Sequence, residues 1–88
     1  MLTYTVTFND GLLTTEIGSF LDFKEAYLAA ITKEMRDENM HNRWHIMMYD
    51  YAKNNIINNN PLRVAYQECT PNPEDDVCTV FITGKYKI

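Results

Sequence analysis

The chain has 88 residues, enough for one domain, and its formal net charge of −4 argues against generic binding to DNA or RNA, where phosphates must be neutralised by an excess of Lys and Arg. With 45% hydrophobic and 23% charged residues the composition is that of a folded domain, and no apolar run approaches the ~20 residues of a membrane span. The opening Met1-Leu2-Thr3-Tyr4-Thr5-Val6 lacks the basic start and apolar run of a signal peptide, so a cytoplasmic protein is expected.

Leu2, Tyr4, Val6 and Phe8 alternate with Thr3, Thr5 and Thr7, which predicts a strand with its apolar side on a core. Asn9-Asp10-Gly11 is a hairpin-turn signal, and Leu12 to Ile17 returns as a second strand that Gly18-Ser19 ends. A helix is expected from Asp22, which with Glu25 has the spacing of a capping box. Its buried stripe is Phe23, Ala26, Tyr27, Ala30, Ile31 and Met35.

The stripe loses phase at Glu38 and Asn42. A second one, Trp44, Met47, Met48, Tyr51 and Ala52, predicts a second helix after a break at Asn39 to His41, with Asn42 as its N-cap. One long kinked helix is the rival reading. Asn54, Asn55 and Asn58 to Asn60 favour fraying and a turn, and Pro61 stops the helix. Leu62 to Gln67 reads as a third strand with Leu62, Val64 and Tyr66 on one side. Thr70 to Asp76 reads as a loop, and Val77 to Thr83 as a central buried strand extending past Gly84.

The expected fold is α+β in the order β-β-α-α-β-β, a single compact domain over residues 1–88. A four-stranded, mostly antiparallel sheet would carry one helical layer. Its other, threonine-rich face would be solvated or covered by a second copy in a homodimer.

Candidate chemistry is sparse. His41 and His45 have the i, i+4 spacing that on a helix would let them share a metal, but Arg43 lies between them and no glutamate completes a zinc-protease motif. Cys69 and Cys78 flank the Thr70 to Val77 loop symmetrically, close enough in a hairpin to face each other. A reducing compartment favours two thiols. Trp44 and Tyr51 are expected in the core and Tyr49 outside it. No glycine-rich phosphate loop is present. Neither an enzyme, a cofactor nor a metal site is expected.

Charge is uneven. Residues 1–42 hold seven acids and three bases, and residues 43–88 hold five of each. The expected activity is therefore that of a non-enzymatic protein-binding module whose partner presents a basic surface. Asp37, Glu38, Tyr49, Glu74, Asp75 and Asp76 are the expected contacts. Phe, Tyr, Met, Ile, Asn and Lys outnumber Gly, Ala, Arg and Pro by more than two to one, the bias of AT-rich coding. Size and bias together make a phage-encoded inhibitor of a host nuclease or CRISPR-type complex the special case. The alternative is a nucleic-acid-associated regulator, dimeric in one form, which requires Arg43, Lys53, Lys85 and Lys87 to converge.

Overall fold

The computed structural model describes residues 2–9, 11–36, 43–68 and 78–86. Five strands and two helices follow in the order β1 (Leu2–Asn9), β2 (Thr14–Phe20), α1 (Phe23–Arg36), β3 (Arg43–Ile46), α2 (Tyr49–Asn55), β4 (Pro61–Glu68) and β5 (Thr79–Tyr86). The strands form one sheet in the spatial order β2-β1-β5-β4-β3, and every pairing is antiparallel. The α+β class stands, with five strands in place of the four expected.

The extra strand comes from what the sequence suggested was helix. Arg43–Ile46 pairs with β4, Trp44 opposite Gln67 and His45 opposite Tyr66. The stripe that predicted a helix from Asn42 combines residues of a strand end with those of a helix start. Trp44, His45 and Ile46 are aromatic or β-branched types that suit a pleated ladder, and the ladder satisfies backbone groups that β4 would otherwise expose. Only Tyr49–Asn55 is helical, and it has no side-chain N-cap. The rival of one long kinked helix is overturned by the same strand.

The first helix follows its sequence closely. The Lys24 N–H donates to the Asp22 carboxylate at 3.3 Å, and the Ala26 N–H to the Asp22 carbonyl at 3.2 Å. Phe23, Ala26 and Ala30 are buried, with Tyr27 and Ile31 half-buried beside them. Three alanines, Ala26, Ala30 and Ala52, are wholly buried, so the helices can approach the sheet closely. They meet Val6, Val64, Ala65, Val80 and Ile82 from the three inner strands.

β5 is the central strand, as its apolar run implies. Val80 and Ile82 are fully buried, while Phe81 and Thr83 point to the opposite face and are half-buried. The β1–β2 hairpin closes around Gly11, whose φ of 99° suits a residue without a Cβ. Its N–H donates to the Asn9 side-chain oxygen at 2.7 Å. β2 starts and ends later than its sequence suggested. Leu12 and Leu13 stand exposed in the turn, and a bulge at Ile17 lets the pairing run on through Gly18 and Ser19 to Phe20. Thr5, Thr7, Phe81 and Thr83 lie on the face away from the helices, in agreement with the threonine-rich second face.

Candidate functional site

The second bulge builds the most distinctive surface of the molecule. Arg63 pairs with Phe81 and Ala65 with Val80, so Val64 is the additional residue. Regular alternation would put Arg63 and Tyr66, three apart, on opposite faces. The bulge resets the alternation and puts both on the helix-free face. The Arg63 guanidinium then lies 4.3 Å from the centre of the Tyr66 ring. Across the ladder, the His45 ring stacks on Tyr66 at 4.8 Å with an interplanar angle of 18°. This overturns the simple alternation of Leu62, Val64 and Tyr66. Val64 and Ala65 are instead buried consecutively.

A cleft of about 370 Å³ opens beside this stack. β3 stops at Ile46, and the Met47 N–H still donates to the Val64 carbonyl at 2.8 Å before the chain turns into α2. The cleft forms where β4 runs on past the end of β3. Ile46, Met47, Leu62 and Val64 supply apolar walls, and His45, Tyr66 and Arg63 supply the polar and aromatic ones. Among the described residues, no carboxylate is within ion-pair reach of Arg63.

Of the expected contact residues, Tyr49 is the one the structure describes. It is half-buried, 5.3 Å edge-on from Tyr27 and 5.7 Å from Phe23, with the Lys53 ammonium 5.9 Å from its ring centre. The expected exposure of the two α2 tyrosines is thus reversed: Tyr51 is 60% exposed. A seven-residue helix starting at Tyr49 turns Tyr49 and Ala52, three apart, toward the core, and Tyr51 away from it. The Trp44 side chain lies outside the described residues.

Asp37, Glu38, Glu74, Asp75 and Asp76 also lie outside the described residues. Their flanking residues are described. Arg43 at the start of β3 pairs with Glu68 at the end of β4, and Tyr66 pairs with Thr79 at the start of β5. Arg43, Glu68 and Thr79 therefore stand at one end of three adjacent strands. Adjacent strands are about 4.8 Å apart, so these anchors span roughly 10 Å.

The basic residues required by the nucleic-acid alternative are scattered. Arg43 pairs with Glu68 at the end of β4, Lys85 pairs with Thr3 six residues beyond Thr79 and roughly 20 Å away, and Lys53 is on α2. Lys87 lies outside the described residues. His45 is on a strand, so the helical spacing that would let it share a metal with His41 does not exist; His41 lies outside the described residues. Among the described residues no three His, Cys, Asp or Glu side chains are grouped to hold a metal. Cys78 is half-buried just before β5, and Cys69 lies outside the described residues. No described helix is long and apolar enough to cross a membrane.

The stack escaped the sequence reading because its members come from two strands and a bulge. The available signal was the pair Val64-Ala65, two consecutive small apolar residues that interrupt a period-2 pattern. No protein-family model matches the chain, nor does any curated protein or solved structure.

Proposed function

We propose that the chain is a non-enzymatic protein-binding module that docks on a basic partner through an acidic surface that includes Asp37, Glu38, Glu74, Asp75 and Asp76. One observation carries the reading. Glu68 and Cys78, which flank residues 69–77, stand at the same end of β4 and β5, and Arg43, which follows residues 37–42, pairs with Glu68. Glu74, Asp75 and Asp76 belong to the segment between Glu68 and Cys78, and Asp37 and Glu38 follow directly on Arg36 at the end of α1; all five lie outside the described residues. Like charges gathered at one place steer an oppositely charged partner more effectively than the same charges dispersed. Tyr49 enters the reading as a contact whose ring is held by Phe23 and Tyr27. Within this class, a phage-encoded inhibitor of a host nuclease or CRISPR-type complex is the finer proposal, resting on chain length and AT-rich residue usage. Cytoplasmic action and a homodimer belong to the same proposal.

The test is affinity capture from host lysate with and without nuclease, followed by charge reversal. A stoichiometric partner that survives nuclease treatment is expected. Its affinity should fall at least tenfold when Glu74, Asp75 and Asp76 become lysine, and again when Asp37 and Glu38 do. Unchanged affinity in both variants overturns the electrostatic reading. Recovery that disappears with nuclease favours the nucleic-acid alternative.

A further inference from the structure

We infer that the cleft between the end of β3 and the bulge of β4 is a binding site for a small planar organic anion, an aromatic body carrying a carboxylate or phosphate. The cleft volume of about 370 Å³ falls within the range of small-molecule sites, and its composition is of the usual kind: mostly apolar walls and a few placed polar groups. Ile46, Met47 and Leu62 would take the apolar body. The edge of the His45–Tyr66 stack offers an aromatic wall to a flat ligand.

The sign of the ligand follows from Arg63. Its guanidinium is exposed, faces no carboxylate among the described residues, and already lies over the Tyr66 ring. Stacking leaves the N–H edge of a guanidinium available, and that edge matches the two oxygens of a carboxylate or phosphate. Holding Arg63 in this way removes part of the entropy an arginine would lose on binding. The floor is rigid for a separate reason. Met47 is bonded through its N–H to Val64 and through its carbonyl to the Tyr27 hydroxyl, both at 2.8 Å. A site whose arginine faces no carboxylate among the described residues, and which offers an aromatic wall, selects a flat anion over a cation or a neutral body of equal size.

This inference is independent of the protein-binding reading, since none of the residues that line the cleft is one of the proposed partner contacts. The test is a two-dimensional NMR titration of the full chain with a charge series on one aromatic body: indole-3-acetate, indole-3-acetamide and tryptamine. Phenyl phosphate is the fourth probe. Saturable shifts are expected at Ile46, Met47 and Val64 for indole-3-acetate, phenyl phosphate or both. Half-saturation should lie near ~1 mM, as fits a fragment of about a dozen heavy atoms. The tighter of the two anions identifies the carboxylate or the phosphate as the natural group. The amide should bind at least fivefold more weakly than the acetate, and tryptamine more weakly still. In Arg63→Gln the acetate should bind no better than the amide. Equal affinities across the charge series, an unaltered acetate affinity in Arg63→Gln, or no saturable shift at the cleft by about 10 mM overturns the inference. The charge series on the unmodified protein decides the matter even if Arg63→Gln folds poorly.

Discussion

The Tyr27 hydroxyl donates a 2.8 Å hydrogen bond to the carbonyl of Met47, twenty residues away. Met47 is where the chain leaves β3 for α2, and its N–H is already bonded to Val64. Tyr27 therefore ties α1 to the junction of the edge strand and the short second helix. Its ring completes the tie by meeting Tyr49 edge-on at 5.3 Å. A seven-residue helix with no side-chain N-cap has little intrinsic stability, so its position depends on such tertiary contacts.

Tyr27→Phe should consequently cost more than a surface tyrosine would. The phenyl ring remains, but the Met47 carbonyl loses its donor, a loss of about 1 kcal/mol. The comparison should also depend on pH. Desolvation by burial raises the Tyr27 pKa above the usual tyrosine value. The neutral phenol is thus favoured in the folded state. Its contribution is complete below about pH 10, the unfolded value, and is lost as pH rises through the higher folded value. Urea titrations at stepped pH should show the stability gap between the native protein and Tyr27→Phe shrinking from about pH 10 upward. A gap that stays constant across that range would refute the assignment.

Much of the fold was legible where periodicity is undisturbed. Tyr4, Val6 and Phe8 alternate cleanly, Phe23 to Ile31 repeats at helical spacing, and Val80 to Ile82 lies within one apolar run; each forms the element its pattern implies. Legibility ended where an element is short or where a bulge shifts the phase. Arg43–Ile46 is four residues long, and its assignment as a strand depends on β4 being beside it, which no local pattern records. The bulge at Val64 changes which face Tyr66 occupies. The stack of Arg63, Tyr66 and His45 was therefore hidden, although all three residues are visible in the sequence. The acids are named by the sequence alone, because Asp37, Glu38, Glu74, Asp75 and Asp76 lie outside the described residues.

The turn after α2 makes a second prediction, about backbone conformation. Asn59 has a φ of 67°, and its N–H donates to the Gly84 carbonyl at 2.7 Å. Asparagine tolerates this left-handed conformation better than other residues with a Cβ. Asn59→Ala should lose about 1 kcal/mol, and Asn59→Gly should lose much less. Gly84, the acceptor, behaves differently. A Cβ there would lie 3.5 Å from Ile56 Cγ1 and 3.7 Å from Leu2 Cδ1 and Tyr4 Cδ1, ordinary contact distances. Its backbone is not left-handed. Gly84→Ala should be neutral or stabilising by about 0.5 kcal/mol, because alanine narrows the unfolded ensemble. Thermal unfolding of the three variants checks the ordering, and a Gly84→Ala protein less stable than Asn59→Ala would contradict it.

The stack itself predicts a measurable coupling. Tyr66 is half-buried and meets a histidine across the ladder and an arginine on its own strand, so Tyr66→Leu removes both contacts while keeping an apolar side chain. An aromatic pair is worth about 0.5–1.5 kcal/mol beyond its buried area, and an exposed cation over a ring about 0.5–1 kcal/mol. Tyr66→Leu should therefore destabilise the domain by about 1–2 kcal/mol. Arg63→Gln alone should cost only the smaller share. In the double variant the arginine contribution has already gone, so the two losses should fall short of additivity by about 0.5 kcal/mol or more. NMR gives a second reading of the same geometry, since the His45 ring protons lie over an aromatic face and should move downfield when the Tyr66 ring is removed. Strict additivity of the stabilities, or His45 protons that do not move, would mean that the three side chains share a surface without interacting.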